Sequence, residues 1–275
     1  MRLGRCVLAV VTGIAAGCSS SGTTPLDAAV AAEDATPTRD ADPSGPDAAD
    51  AAPVVPFCKL AENAKPGTFC DDFDANPQKP ELLGWSRLTE TGATLSYNGI
   101  ALSAPFALTA TVPKGTLNAR AFAVRQEQPG NRFHVRFHVM GDGPPPVDAP
   151  LYLGHVTLNG LYMISLRAFG DGARLRLGLT KLGPQNVEVT APVVDQAPEL
   201  SANRWIPVDL VIDDKTSTYT VTMGDKSATG RFPDTFTGKV SLQLMLGIQA
   251  SDAPSGSITK DTTLHYDNVV IEAER

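Results

Sequence analysis

From Arg132 to Val139 the chain alternates without a break: Arg, Phe, His, Val, Arg, Phe, His, Val. A period of two suits an extended strand with one buried face; on a helix the same apolar residues would scatter around the axis. The pattern recurs. Arg174 and Arg176 alternate with Leu175 and Leu177, and the alternation continues to Leu179. Ile206, Val208, Leu210 and Ile212 keep the same spacing, as do Tyr219, Val221 and Met223, then Val240, Leu242, Leu244 and Leu246. A last strand is expected near Leu264 to Ile271. Turn chemistry punctuates these runs at Gly141-Asp142-Gly143, Asn159-Gly160, Gly170-Asp171-Gly172 and Gly224-Asp225. The segments 161–169 and 174–179 read as the two arms of a hairpin. No window of helical length repeats every 3.6 residues. So many antiparallel strands predict an all-β fold, a two-sheet antiparallel β-sandwich.

The strands occupy only part of the 275 residues. Residues 1–18 read as a targeting segment. Arg2 and Arg5 precede an uncharged, largely apolar run from Cys6 to Ala16, too short to span a bilayer. Ala15-Ala16-Gly17 then leads into Cys18, which resembles the lipobox of bacterial lipoproteins. That resemblance implies cleavage before Cys18, acylation of its sulfur and amino group, and attachment to a membrane through lipid. An ordinary secretory signal is the alternative. Ser19 after the cysteine implies, by the same resemblance, the outer membrane of a Gram-negative cell envelope.

Residues 19–56 hold 10 Ala, 6 Pro and 6 Asp, with no aromatic residue. Such a segment cannot bury enough apolar surface to offset its ordering entropy, so a disordered linker is expected. It would span roughly 30–40 Å as a coil. Residues 57–275 form one domain in this reading. The net charge of −7 argues against a nucleic-acid partner. Within the domain, Cys58 and Cys70 are expected to form a disulfide in an exported protein, with two free buried thiols as the alternative.

The order of short signatures carries a family resemblance. Phe69-Cys70-Asp71-Asp72-Phe73-Asp74 comes first, then Trp85, Ser103-Ala104-Pro105-Phe106, Trp205-Ile206-Pro207-Val208 and finally Tyr266-Asp267-Asn268-Val269-Val270-Ile271. This order resembles the concanavalin A-like lectin/glucanase superfamily, the LamG-like jelly rolls. The resemblance implies two curved sheets, with sugars often carried on the concave one.

Catalytic motifs are absent from the sequence. Retaining glucanases of this fold place two carboxylates about 5–5.5 Å apart from one strand, and no Glu of the domain has an Asp two positions on followed by another Glu. No Gln precedes His134, His138, His155 or His265 in the Gln-x-His pattern of alginate-lyase relatives. There is no G-x-S-x-G elbow, phosphate loop or H-E-x-x-H. No catalytic residue is assigned.

Two constellations remain as candidate sites. Asp71, Asp72 and Asp267 offer oxygen ligands for a structural Ca2+ joining the first and last strands, unless they are strand-end and turn residues. Arg132, His134, Arg136 and His138 form one cationic row and Arg174 with Arg176 another; alternation turns both rows outward. They are expected to share one sheet and form a strip for an acidic polysaccharide, the alternative being an ordinary solvated face. Trp85 and Trp205 are expected in the core rather than under sugar rings. These readings favour a lipid-anchored, non-catalytic, glycan-binding domain. A polysaccharide-active hydrolase or lyase of unrecognised type and a structural module with protein partners are the alternatives.

Overall fold

The computed structural model describes residues 55–74, 84–90, 92–116, 118–143, 150–169, 174–250 and 258–275. The signal segment, Cys18 and most of the linker lie outside the described residues, as does the Gly170-Asp171-Gly172 turn.

Among the described residues, fifteen strands form two antiparallel sheets. Sheet A contains β1 (Thr68–Asp71), β3 (Thr94–Asn98), β4 (Ala107–Val112), β6 (Arg132–Gly141), β11 (Ile206–Asp213), β12 (Thr218–Met223), β13 (Lys226–Arg231) and β15 (Thr262–Glu274). Its order is β13-β12-β11-β6-β15-β4-β3, with β1 also on β15. Sheet B contains β2 (Ser86–Glu90), β5 (Arg120–Gly130), β7 (Leu151–Leu158), β8 (Tyr162–Ala168), β9 (Leu175–Lys181), β10 (Val187–Val189) and β14 (Val240–Ala250). Its order is β10-β9-β8-β7-β14-β5-β2. The expected hairpin arms are β8 and β9, paired from Tyr162↔Lys181 to Ala168↔Leu175.

Alternation decides which side chains meet between the sheets. Phe133, Val135, Phe137, Val208, Leu210, Ile212, Tyr219 and Val221 fill the core from sheet A. Ile164, Leu166, Leu175, Leu179, Leu242, Leu244, Leu246 and Ile248 face them from sheet B. Burying a side chain of this kind is worth about 1.5–3 kcal/mol. Left-handed backbone falls where the sequence supplies Asn or Gly, as at Asn159-Gly160 between β7 and β8 (φ 50° and 62°) and at Gly224 between β12 and β13 (φ 64°).

The long closing strand β15 organises sheet A. Its first half pairs with β4 and its second half with β1, while β6 runs along the other side. A bulge between Asp267 and Val270, with Asn268 at φ 55°, separates the halves. The bulge shifts the inward set from Leu264 and Tyr266 to Val269 and Ile271. Cys58 and Cys70 are disulfide-bonded, tying a 3-10 turn at Phe57–Lys59 to β1.

Candidate functional site on the outer face of sheet B

The two cationic rows expected to form one strip lie on opposite sheets. Arg132, His134, Arg136 and His138 are on β6 in sheet A; Arg176 is on β9 in sheet B, and Arg174 pairs with Glu199 just before it. Outward orientation follows alternation in both rows. Sheet membership does not, because the connections between strands decide it.

The sheet A row is also charge-matched by its neighbours. His134 Nε2 lies 2.8 Å from Asp209 Oδ2 on β11. Arg136 Nη2 donates to Glu272 Oε1 on β15 at 2.9 Å and to Asn63 Oδ1 at 3.3 Å. Arg132 Nη1 is 3.6 Å from Glu274 Oε1. Burial lowers the pKa of His138. This face is a cross-strand ion-pair lattice.

The three candidate calcium ligands also have other work. Asp71 accepts Phe73 N at 2.8 Å and Trp85 Nε1 at 2.7 Å. Asp72 accepts Cys58 N at 3.3 Å and Asp74 N at 3.4 Å. Asp267 accepts Leu102 N, Ser103 N and Asn268 N at 2.7–2.8 Å, and Ser103 Oγ at 3.2 Å. These carboxylates anchor loops to β1 and β15. Among the described residues no group of three or more His, Cys, Asp or Glu stands where it could hold a metal ion. Burial pushes both Asp71 and Asp267 up to about 6. Trp85 is core, 2% exposed, as expected; Trp205 is half-buried ahead of β11.

Chemistry-bearing side chains do converge on the outer face of sheet B. The strand register places Arg120 of β5 opposite Gln249 of β14, Gln249 opposite Tyr152 of β7, Tyr152 opposite Arg167 of β8, and Arg167 opposite Arg176 of β9. This row crosses five strands, a width of roughly 20 Å at ordinary strand spacing. Arg176 therefore does belong to a cationic row, with partners that sequence spacing did not suggest.

Arg167 lies flat across the sheet. Its guanidinium stacks over the Tyr152 ring at 5.0 Å, and its Nε donates to Ser165 Oγ at 2.8 Å. Its Nη1 donates to Glu188 Oε1 on β10 at 2.6 Å. This path crosses Gly178, where a Cβ would come within 2.3 Å of the guanidinium. The glycine thus leaves the channel in which the arginine rests.

His155 lies beneath this row, 4% exposed. Its ring is 5.3 Å from Tyr152 and 5.2 Å from Phe122, and Gln249 hydrogen-bonds it. Its Nδ1 is buried with no hydrogen-bond partner among the described residues. Burial, reinforced by the Arg167 charge, lowers the imidazole to about 4, so it is neutral at physiological pH. Tyr152 and His155 are three apart yet share a face, because the β7–β8 register shifts between Tyr152 and Gly154. Strict alternation would have put them on opposite faces. The missed signal was Gly154, a glycine inside a strand pattern, which marks a bulge.

The fold and this face define the class: a two-sheet antiparallel jelly-roll sandwich with a cationic and aromatic row across one outer face. Among solved structures the chain is similar to alginate lyase Aly36B, with a TM-score of 0.57 and 10% identity, covering 76% of this chain and 98% of that one. It is also similar to the cellulose induced protein Cip1, with a TM-score of 0.56 and 11% identity, covering 75% and 97%. An Aly36B variant in complex with alginate trisaccharide matches with a TM-score of 0.52 at 11% identity, covering 76% and 99%. At these identities the likeness is one of fold. No family model and no curated protein match the chain.

Proposed function

We propose that this chain is a polysaccharide-recognising protein that binds an acidic glycan on the outer face of sheet B. The observation that carries the reading is the transverse row Arg120, Gln249, Tyr152, Arg167 and Arg176. Guanidinium groups recognise carboxylates or sulfates through paired N–H donors, and a tyrosine ring offers a face to the C–H side of a sugar. The similarity in fold to an alginate lyase and to a protein named for cellulose supports a polysaccharide as the partner. The N-terminal pattern ending in Cys18 belongs to the same proposal, as a lipid anchor that holds the domain at the cell envelope.

The test is binding of an alginate hexasaccharide to the full chain. Arg176→Ala should weaken binding about tenfold, the loss of one charge-assisted contact, whereas Arg136→Ala on sheet A should leave it unchanged. Binding should weaken as salt rises. Equal effects of the two substitutions would exclude the sheet B face.

A second reading, a lyase, is favoured by one observation: neutral His155 packs against Tyr152 beside Arg167. Uronate β-elimination needs a base to take the proton alpha to the carboxylate, a cation to neutralise that carboxylate, and an acid to protonate the departing glycosidic oxygen. The C–O bond breaks as a C=C bond forms, so no co-reactant is required. Ultraviolet absorbance from the new double bond, lost in Tyr152→Phe, would establish this activity.

A further inference from the structure

The outer face of sheet B changes character along its strands. Six residues along β14 from Gln249, roughly 20 Å at strand rise, an open cleft is lined by Gln126, Thr157, Asn159, Gly160, Ser241 and Gln243. None of these side chains is ionisable. Gln243 stands opposite Gln126 on one side and Thr157 on the other, so two amides and a hydroxyl form a second transverse row across roughly 10 Å. The β7–β8 turn walls this row. Asn159 Oδ1 accepts Ser241 N at 2.7 Å and Ser241 Oγ at 3.1 Å, fixing the wall to β14. No hydrogen bond from another described residue engages the Gln126, Gln243 or Thr157 side chains.

We propose that this cleft is a binding subsite for an uncharged, hydroxyl-rich sugar residue, held by the Gln126 and Gln243 amides and the Thr157 hydroxyl. Each amide presents two donors and an acceptor, and a hydroxyl both gives and receives, which matches the mixed donor and acceptor character of vicinal sugar hydroxyls. The arginines of the first row select anions; a carboxylate placed in this cleft would lose water without gaining a counter-charge. The inference deepens the polysaccharide reading and rests on it for the polymer: the natural glycan carries neutral residues as well as acidic ones. With no aromatic platform in its lining, the cleft should bind a short neutral probe weakly and gain strength from the rest of the chain.

The experiment uses the full chain with 15N-labelled glutamine side chains, titrated with cellohexaose, mannohexaose and xylohexaose, and separately with an alginate hexasaccharide. At least one neutral probe should shift the Gln126 and Gln243 amide signals, with an affinity indifferent to salt. The double substitution Gln126→Ala with Gln243→Ala should weaken that probe at least about tenfold with the melting temperature unchanged, while Arg176→Ala should leave it unaffected. The proposal is overturned if no neutral probe moves these amides, or if the double variant binds neutral probes as the parent does. Neutral binding at the amides with no uronate binding anywhere would support the subsite and remove the acidic-glycan reading. Uronate binding lost in Arg176→Ala, with the amides silent to every neutral probe, would do the reverse.

Discussion

His155, Asp71 and Asp267 are buried ionisable groups whose proton affinities move in opposite directions. His155 has a folded pKa of about 4 against 6.5 for the free side chain, so the unfolded chain takes the proton first as pH falls. Its contribution to stability is complete above pH 6.5 and is lost as pH falls toward 4. Asp71 and Asp267 titrate at about 6 in the fold against 3.8, so their contribution is complete below pH 3.8 and lost as pH rises through 6. Across the acidic range the two effects oppose. In His155→Gln the effect of that imidazole is gone, while the carboxyl effect and that of half-buried His138 remain as in the parent. Thermal melts should then show the variant gaining on the parent as pH drops from 7 to 4, by a total of roughly 3 kcal/mol. A constant offset between the two would mean that His155 is not held neutral by burial. At this scale the sequence offered Asp71, Asp72 and Asp267 as ligands for a calcium ion or as strand-end and turn residues. It did not name the partners, because N–H donors from distant loops, Leu102 and Ser103 above all, arrive only with the fold.

Among the elements, those with an unbroken apolar period were readable. β6, β11, β12 and β14 each have one face against the core, and their alternation records it directly. Edge strand β13 carries Lys226-Ser227-Ala228-Thr229-Gly230-Arg231 and has no fully buried side chain, so it leaves no apolar signature. β7 carries one, but its bulge puts the two site residues out of phase. The glycine on β9 gives this scale its prediction. Gly178→Ala places a methyl group where the Arg167 guanidinium lies, and that flexible side chain can swing away. The variant should therefore lose little stability, under about 1 kcal/mol by denaturant midpoint, while its uronate binding falls as far as in Arg167→Ala. Unchanged binding would mean that the flat course of Arg167 across β9 has no part in recognition.

For the molecule as a whole, segregation between sheets decides what each face can do. Sheet A sets Arg132 and Arg136 against Glu274 and Glu272 and hydrogen-bonds His134 to Asp209; sheet B lines up Arg120, Arg167 and Arg176 with Tyr152 and Gln249. The proposed lipid anchor would hold this domain at a membrane. Metabolic labelling with palmitate should mark the full chain and not Cys18→Ser, which should also leave the detergent phase; a Cys18→Ser protein still labelled and membrane-bound would remove the anchor. The sequence by itself determined the all-β class, the inward residues of each regular strand and the Cys58–Cys70 pair, because a period of two and a pair of cysteines are local or countable properties. Only the tertiary structure decided which strands share a sheet, and so which charges stand together. Strand order depends on long connections and bulges, and one extra residue, Leu153 between the paired Tyr152 and Gly154, reverses the parity on which any reading from spacing depends.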